Sequence, residues 1–213
     1  MLDIQPVHAW AWTHSSDEAW LITSAWNFKE KMEKVERVHF IRFPYRKDIR
    51  DNGDINNGGF DLVQFPEKIN DIHEITDYPW LKDFIKRVND KTGIFMTLGC
   101  AIGYEGDTLY GYIDFTCRPE AMDVIKEDLI TLDNQFYAYL SQAIPDEETR
   151  QRAIQYVQHN LLWLASPLEI YGESYSQINV TFREREQDGL EWAFNHLAYF
   201  LTEYYPVKFR HAG

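Results

Sequence analysis

The sequence lacks the features that define several large classes of protein. It has only 2 cysteines in 213 residues, too few for a disulfide-stapled secreted scaffold. No stretch approaches the eighteen or so unbroken apolar residues of a membrane span. The first residues carry neither the basic cluster nor the apolar run of a signal peptide. We therefore expect a cytoplasmic protein that does not bind membranes and whose thiols, Cys100 and Cys117, stay reduced in the core.

Basic residues are also scarce. The chain has 21 Lys and Arg against 34 Asp and Glu, which gives a formal net charge of −13. The charge is uneven, with −4 on residues 1–106 and −9 on residues 107–213. Such a field repels a phosphate backbone and attracts basic surfaces. We expect a basic protein partner and no direct binding of nucleic acid.

The motifs of common enzymes and cofactor sites are missing as well. The sequence has no Gly-x-Ser-x-Gly elbow, phosphate loop, dinucleotide fingerprint or His-Glu-x-x-His helix. The cysteines are too far apart for a zinc knuckle, and the Gly- and Asn-rich loop at 51–59 lacks the closing acid of a calcium loop. The sequence therefore predicts no cofactor and no metal site, and it favours a non-enzymatic protein over an enzyme.

The composition is that of an ordinary folded domain. Hydrophobic residues make up 45% of the chain and aromatic residues 15%, which is enough to build a sizeable core. No Pro-rich or Ser-rich linker interrupts the sequence, so we predict one compact domain over residues 1–213. The alternative is a ββαβ-like subdomain at 1–92 followed by a ββααββα subdomain at 93–213.

The centre of the chain predicts an α+β fold of antiparallel hairpins packed against amphipathic helices. Apolar and polar residues alternate from Leu109 to Cys117, the period of a strand, and Ile94–Leu98 precedes it as a partner strand. After Pro119 the apolar residues fall three and four apart from Met122 to Ala143. This spacing predicts a single helix of about six turns.

Similar patterns predict the remaining elements. The predicted strands are Val7–His14, Trp20–Trp26, Val38–Tyr45, Phe60–Phe65, Leu168–Tyr171 and Tyr175–Arg183. The predicted helices cover Phe28–Val35, the stretch from a capping Asp77 to Val88, Ile154–Leu164 and Leu190–Tyr204. The segments 113–140 and 178–205 share one pattern, with Ile113–Arg118 aligned on Ile178–Arg183, which raises the hypothesis of an internal ββα duplication.

One candidate site is an acidic surface. Four acidic residues are predicted on or beside one helix face, namely Glu120, Asp123, Glu127 and Asp128. On the strand Val7–His14, Trp10 and Trp12 share a face and could anchor a partner. The competing interpretations are a solvated helix face and tryptophans packed in the core.

These observations favour an acidic interaction protein. Small acidic, aromatic-rich proteins without catalytic motifs include immunity proteins and inhibitors, so the leading hypothesis is a protein that occupies a basic partner such as a toxin or nuclease.

A second candidate site combines two predicted strands. Asp114, Thr116 and Arg118 match Asn179, Thr181 and Arg183 in the repeat. If the two strands are neighbours, these side chains could hold a small anion. The chain would then be a small-molecule-binding protein or an enzyme with a pocket between sheet and helices. The competing interpretation is a solvent-facing strand edge with Asp–Arg pairing. A third alternative is a homodimer that pairs the seams Met122–Ala143 and Ile154–Leu164 across subunits.

Overall fold

A computed structural model describes residues 42–49, 55–56, 58–125 and 128–210. The chain divides into two compact units, residues 1–41 and 42–213, and every described residue belongs to the second. The predicted strands Val7–His14 and Trp20–Trp26 and the predicted helix Phe28–Val35 therefore lie outside the described residues. The single-domain prediction stays a prediction.

The strands of the described residues form a five-stranded mixed sheet and a short two-stranded ribbon. In chain order they are β1 (Arg42–Phe43), β2 (Asp48–Ile49), β3 (Ile55–Asn56), β4 (Phe95–Glu105), β5 (Thr108–Cys117), β6 (Leu161–Ile170) and β7 (Glu173–Glu184). The large sheet has the order β1-β6-β7-β5-β4, in which β1 runs parallel to β6 and every other neighbouring pair is antiparallel. β2 pairs with β3.

The helices of the same residues surround this sheet in the chain order. They are α1 (Pro79–Val88), α2 (Met122–Ile125), α3 (Leu132–Ala143), α4 (Glu147–Asn160), α5 (Gln187–Tyr199) and α6 (Val207–Arg210). A π-helical segment, Phe200–Tyr204, continues α5, and short 3-10 turns occupy Pro66–Asp71, His73–Ile75, Pro119–Ala121 and Leu129–Thr131. The α+β prediction is confirmed. None of these helices has the length and apolar character needed to cross a membrane.

Two tight hairpins form because glycines take left-handed backbone angles at the turns. Gly106 has φ +63° between β4 and β5, and Gly172 has φ +93° between β6 and β7. Tyr171 precedes Gly172 with φ +50°, an unusual angle for a residue with a side chain. Its hydroxyl donates to Asp61 Oδ2 at 2.7 Å, which helps to hold this conformation.

The two hairpins meet through their second strands. β5 and β7 are neighbours, and Asp114 lies directly opposite Asn179. These two residues are also equivalent in the proposed repeat, so equivalent positions of the two hairpins face each other across the centre of the sheet. This arrangement suits a local two-fold relation between the hairpins. Duplication itself stays a hypothesis.

The main core lies between the helices and one face of the sheet. Phe115, Phe136 and Phe200 are fully buried there, and Trp163 packs edge-on against Phe115. The side chains that alternate with the core residues point to the other face of the sheet. That face carries a smaller buried cluster of Phe43, Met96, Leu98, Leu168 and Ile170. Both faces of the central strands are therefore buried.

The segment after Pro119 does not form the predicted six-turn helix. It contains a 3-10 turn, the single-turn α2, a second 3-10 turn and then α3. The Thr131 hydroxyl donates to the Asp128 main-chain oxygen at 3.1 Å, and it competes with the helical pairing of that carbonyl. The apolar seam survives the break because Met122, Ile125 and Leu132 are still buried.

Three further predictions of local structure are wrong. Phe60–Phe65 is not a strand but a loop and turn ahead of Pro66–Asp71. Asp77 does not cap α1, which begins after Tyr78 without a side-chain cap. Residues Leu161 to Leu164 do not continue α4 but form the start of β6. The three-four spacing is ambiguous at this point, because a strand with one buried residue in two also satisfies it over so short a stretch.

Candidate functional site

The strands that carry the second candidate site are neighbours, and their polar side chains form a hydrogen-bonded row. Asn179 Nδ2 donates to Asp114 Oδ1 at 2.7 Å, and Thr181 Oγ1 donates to Asn179 Oδ1 at 2.8 Å. Asp114 is only 2% exposed. The interpretation of a solvent-facing strand edge is therefore wrong, because β5 and β7 are interior strands of the sheet.

Further along the same two strands, the polar side chains bond to their neighbours. The hydroxyl of Thr116, which is fully buried, donates to the main-chain oxygen of Ser176 at 2.6 Å. Gln177 Nε2 donates to Ser166 Oγ at 3.0 Å, while Gln177 Oε1 is buried with no partner among the described residues. These bonds satisfy most of a polar strip inside the protein, as burial of polar groups requires.

Arg118 is a structural clamp. Its Nε donates to Phe95 O at 2.9 Å, its Nη1 donates to Lys91 O at 2.9 Å, and its Nη2 donates to Asp90 O. The side chain is buried, and burial lowers the pKa of the guanidinium below its usual value. Its three donor nitrogens are thus occupied by main-chain carbonyls of the loop between α1 and β4.

The two arginines of the predicted anion site do not lie together. Arg183 is opposite Tyr110 in the antiparallel register, whereas Arg118 follows the far end of β5. Eight residues of strand separate Tyr110 from Arg118, or roughly 25 Å. The expectation of one pocket holding both arginines is wrong, because an antiparallel pair places equivalent residues at opposite ends except at its centre.

The predicted acidic face is only partly realised. Glu120 and Asp123 are exposed, on the 3-10 turn before α2 and on α2 itself. Asp128 is half-buried, and its Oδ2 accepts a hydrogen bond from the hydroxyl of Tyr205 at 3.2 Å. It therefore has a structural contact of its own. Glu127, Trp10 and Trp12 lie outside the described residues.

The fold brings a further acidic residue, which the sequence patterns did not indicate, to Glu120 and Asp123. Glu173 is exposed at the start of β7, close to the end of β5, where Thr116 bonds Ser176. Tyr175 lies half-buried in this region. Its pKa is raised, first by burial and then by the charges of Glu173, Cys117, Glu120 and Asp123. Carboxylates from two distant segments therefore surround one tyrosine.

A buried tyrosine–histidine pair lies between α3 and α5. Tyr139 Oη and His196 Nδ1 are 3.0 Å apart, and the ring of Trp192 is centred 4.7 Å from that of His196. Burial lowers the pKa of His196 to about 4 and raises the pKa of Tyr139 well above its usual value. Both groups are therefore neutral at pH 7, which suits a packing contact better than acid–base catalysis.

The two thiols do not form a reactive or crosslinked pair. Cys100 lies opposite Ile113 and Cys117 opposite Phe95, so five residues separate the two cysteines along the β4–β5 pair, and both are free. Burial raises the pKa of Cys117 to about 11. This confirms that they are core thiols. Within the described residues no group of three His, Cys, Asp or Glu side chains is placed to hold a metal ion.

The fold and these contacts define an α+β protein whose polar strip is buried and whose acidic residues are on the surface. No protein-family model, curated protein or solved structure matches the chain.

Proposed function

We propose that this chain is an acidic interaction protein that binds a basic protein, in the manner of an immunity protein or inhibitor. The observation that carries the proposal is the meeting of Glu120, Asp123 and Glu173 around Tyr175. We call these four residues the acidic face. The three carboxylates are exposed, and the tyrosine between them is half-buried.

The environment of the acidic face favours a cationic partner. The nearest buried cation, Arg118, gives its donor nitrogens to main-chain carbonyls and does not cover the three carboxylates. The chain as a whole has a net charge of −13, which adds a long-range attraction for basic surfaces. Such electrostatic complementarity speeds association and makes it sensitive to salt.

Tyr175 supplies the other half of a binding surface. Tyrosine is enriched among the residues that contribute most to protein interfaces, because its ring gives a rigid apolar contact and its hydroxyl a hydrogen bond. A tyrosine set among carboxylates can pack against the stem of a lysine or arginine while the carboxylates bind the charged end.

The test compares two variants of equal net charge. In the first, Glu120, Asp123 and Glu173 are replaced with lysine. In the control, three exposed acids elsewhere are replaced with lysine: Glu105, Glu191 and Glu203. Each immobilised protein is incubated with a native lysate at low salt and eluted at high salt, and the captured proteins are identified and their affinities measured in purified form.

We expect the wild type and the control to retain the same salt-eluted basic protein and the acidic-face variant to lose it. The affinity of the purified partner for that variant should fall by at least tenfold, because attraction is replaced by repulsion at a desolvated contact. Equal losses in both variants would mean that net charge alone attracts basic proteins. That result, or no loss in either variant, would contradict the proposal.

A further inference from the structure

A small surface pocket lies between the start of α3 and the sheet. Its volume is about 60 Å³, space for several water molecules or the end of one side chain. The lining residues are Leu129, Ile130, Asp133, Trp163, Leu164, Ala165 and Ile178. Asp133 is the only ionisable residue in this lining, and the others are apolar or aromatic.

The carboxylate of Asp133 has no neutralising partner. Within the described part of the chain it makes neither an ion pair nor a hydrogen bond, although it is half-buried. Leu129 and Ile178 are buried beside it, whereas Ile130 is 68% exposed at the rim. A carboxylate in such surroundings attracts a cation more strongly than it would in open water.

The indole of Trp163 forms another wall of the pocket. It is held in place by Phe115 and Phe136, with ring centroids 6.1 and 6.0 Å away. Indole rings attract cations through their faces and also pack well against methylene groups. A fixed indole with an unpaired carboxylate is the combination that suits an ammonium or guanidinium group on an apolar stem.

We propose that this pocket is the anchor site for one basic side chain, an arginine or lysine, of the bound protein. The charged end binds Asp133, and the stem lies along Ile130 and Trp163. The inference rests on the proposed function, since it identifies which group of the basic partner is recognised. It also explains why Asp133 is left unpaired at the rim of an apolar pocket.

Asp133 has a competing structural role that the test must separate. It lies in the first turn of α3, where a negative charge is favoured by the helix dipole whether or not a ligand binds. Asp188 is a matched control, because it is an exposed acid in the first turn of α5 and does not line the pocket. Asp133→Asn and Asp188→Asn therefore remove the same kind of helix contact.

The experiment titrates the isolated protein with Nα-acetyl-arginine amide and, separately, with the neutral Nα-acetyl-glutamine amide. The indole ¹H–¹⁵N resonance of Trp163, assigned from the Trp163→Phe spectrum, reports binding. We expect a saturable shift with the arginine probe at millimolar concentration, no comparable shift with the glutamine probe, and binding roughly fivefold weaker in Asp133→Asn. Asp188→Asn should bind the arginine probe as the wild type does.

Three outcomes would overturn the inference: no shift with the arginine probe, equal shifts with both probes, or unchanged binding in Asp133→Asn. The probe experiment needs no partner protein, so it separates the two proposals. Binding of the probe with no effect of acidic-face substitutions would end the proposed function and leave the pocket. The reverse result would leave the function and end the pocket.

Discussion

At the scale of single residues, Gly111 shows how closely the sheet and its neighbours pack. A side chain at this position would meet Phe182 and would place its Cβ 2.5 Å from the main-chain oxygen of Ala101. Gly103, in the neighbouring strand β4, has open space around the same position. The pair therefore separates crowding from the general effect of replacing a glycine in a strand.

We expect Gly111→Ala to lower the free energy of unfolding by about 1–3 kcal/mol, the usual cost of overpacking a core. Gly103→Ala should leave it unchanged or raise it slightly, since alanine restricts the unfolded chain. Urea denaturation of the two variants measures the difference. Equal stability of the two would show that the Phe182 ring moves aside at little cost.

His196 predicts how stability depends on pH. Burial lowers its pKa in the folded protein from about 6.5 to about 4, so the unfolded chain binds the proton more tightly. The contribution to stability is full above pH 6.5 and is lost as the pH falls from 6.5 towards 4. At 1.36 kcal/mol per pH unit, the loss is at most about 3 kcal/mol.

The measurement is urea denaturation at pH 7 and at pH 4.5. His196→Gln should show a smaller loss between the two pH values than the wild type, because the ionisable group is gone. His159→Gln, at an exposed position on α4, is the control and should keep the wild-type loss. An unchanged loss in His196→Gln would assign the pH effect to other groups.

At the scale of elements, Arg118 joins three parts of the chain. It follows β5 and binds carbonyls of Asp90, Lys91 and Phe95, which fixes the loop after α1 against the start of β4. A lysine has one nitrogen and cannot serve three divergent carbonyls. The loop would then keep unsatisfied buried oxygens.

We therefore expect Arg118→Lys to reduce the free energy of unfolding by about 2–4 kcal/mol, given the strength of hydrogen bonds from charged donors. Arg152→Lys, which changes an exposed pair with Glu148 on α4, should cost less than about 0.5 kcal/mol. Thermal unfolding compares the two variants. Hydrogen exchange should also become faster at residues 90–95 in Arg118→Lys alone, and unchanged exchange there would contradict the clamp.

The broken segment after Pro119 shows why an apolar pattern does not fix the length of a helix. Met122, Ile125 and Leu132 keep the spacing of one continuous seam and are all buried. Side-chain bonds from Thr131 and Tyr205 to Asp128 hold the chain in a turn between α2 and α3. Tyr205 is 77 residues further along the chain, so no local pattern could reveal that contact.

At the scale of the whole molecule, the charge of the chain opposes its own compaction. A net charge of −13 over 213 residues implies repulsion that salt screens. We expect the melting temperature to rise as sodium chloride is added to a low-salt buffer. The variant with lysine at 105, 191 and 203, whose net charge is −7, should gain less. A melting temperature that does not change with salt would show that the charges are too widely spaced to matter.

The homodimer hypothesis belongs to the same scale. The seam residues Leu132, Phe136 and Val157 are fully buried within one chain, where they pack in the main core. These residues therefore have contacts that need no second subunit. Dimerisation stays a prediction, to be decided by light scattering at low concentration.

The sequence by itself determined the class of the fold and most of its parts. Alternation predicted β5 and most of β7, and the three-four spacing predicted α1, α3 and α5, because each element shows its buried face as a local period. It also determined the acidic charge, and it indicated Glu120 and Asp123 as surface residues. Phe60–Phe65 was too short a stretch for periodicity to separate a strand from a loop.

Only the tertiary structure decided which residues meet. The antiparallel pairing of β5 and β7 places Asp114 beside Asn179 but separates Arg118 from Arg183, and no sequence period states the direction of a neighbouring strand. The fold likewise brings Glu173 to the acidic face and leaves Asp133 unpaired in a pocket with Trp163. These contacts join segments tens of residues apart. Local patterns record which side of an element is buried, whereas a site depends on what is packed against that side.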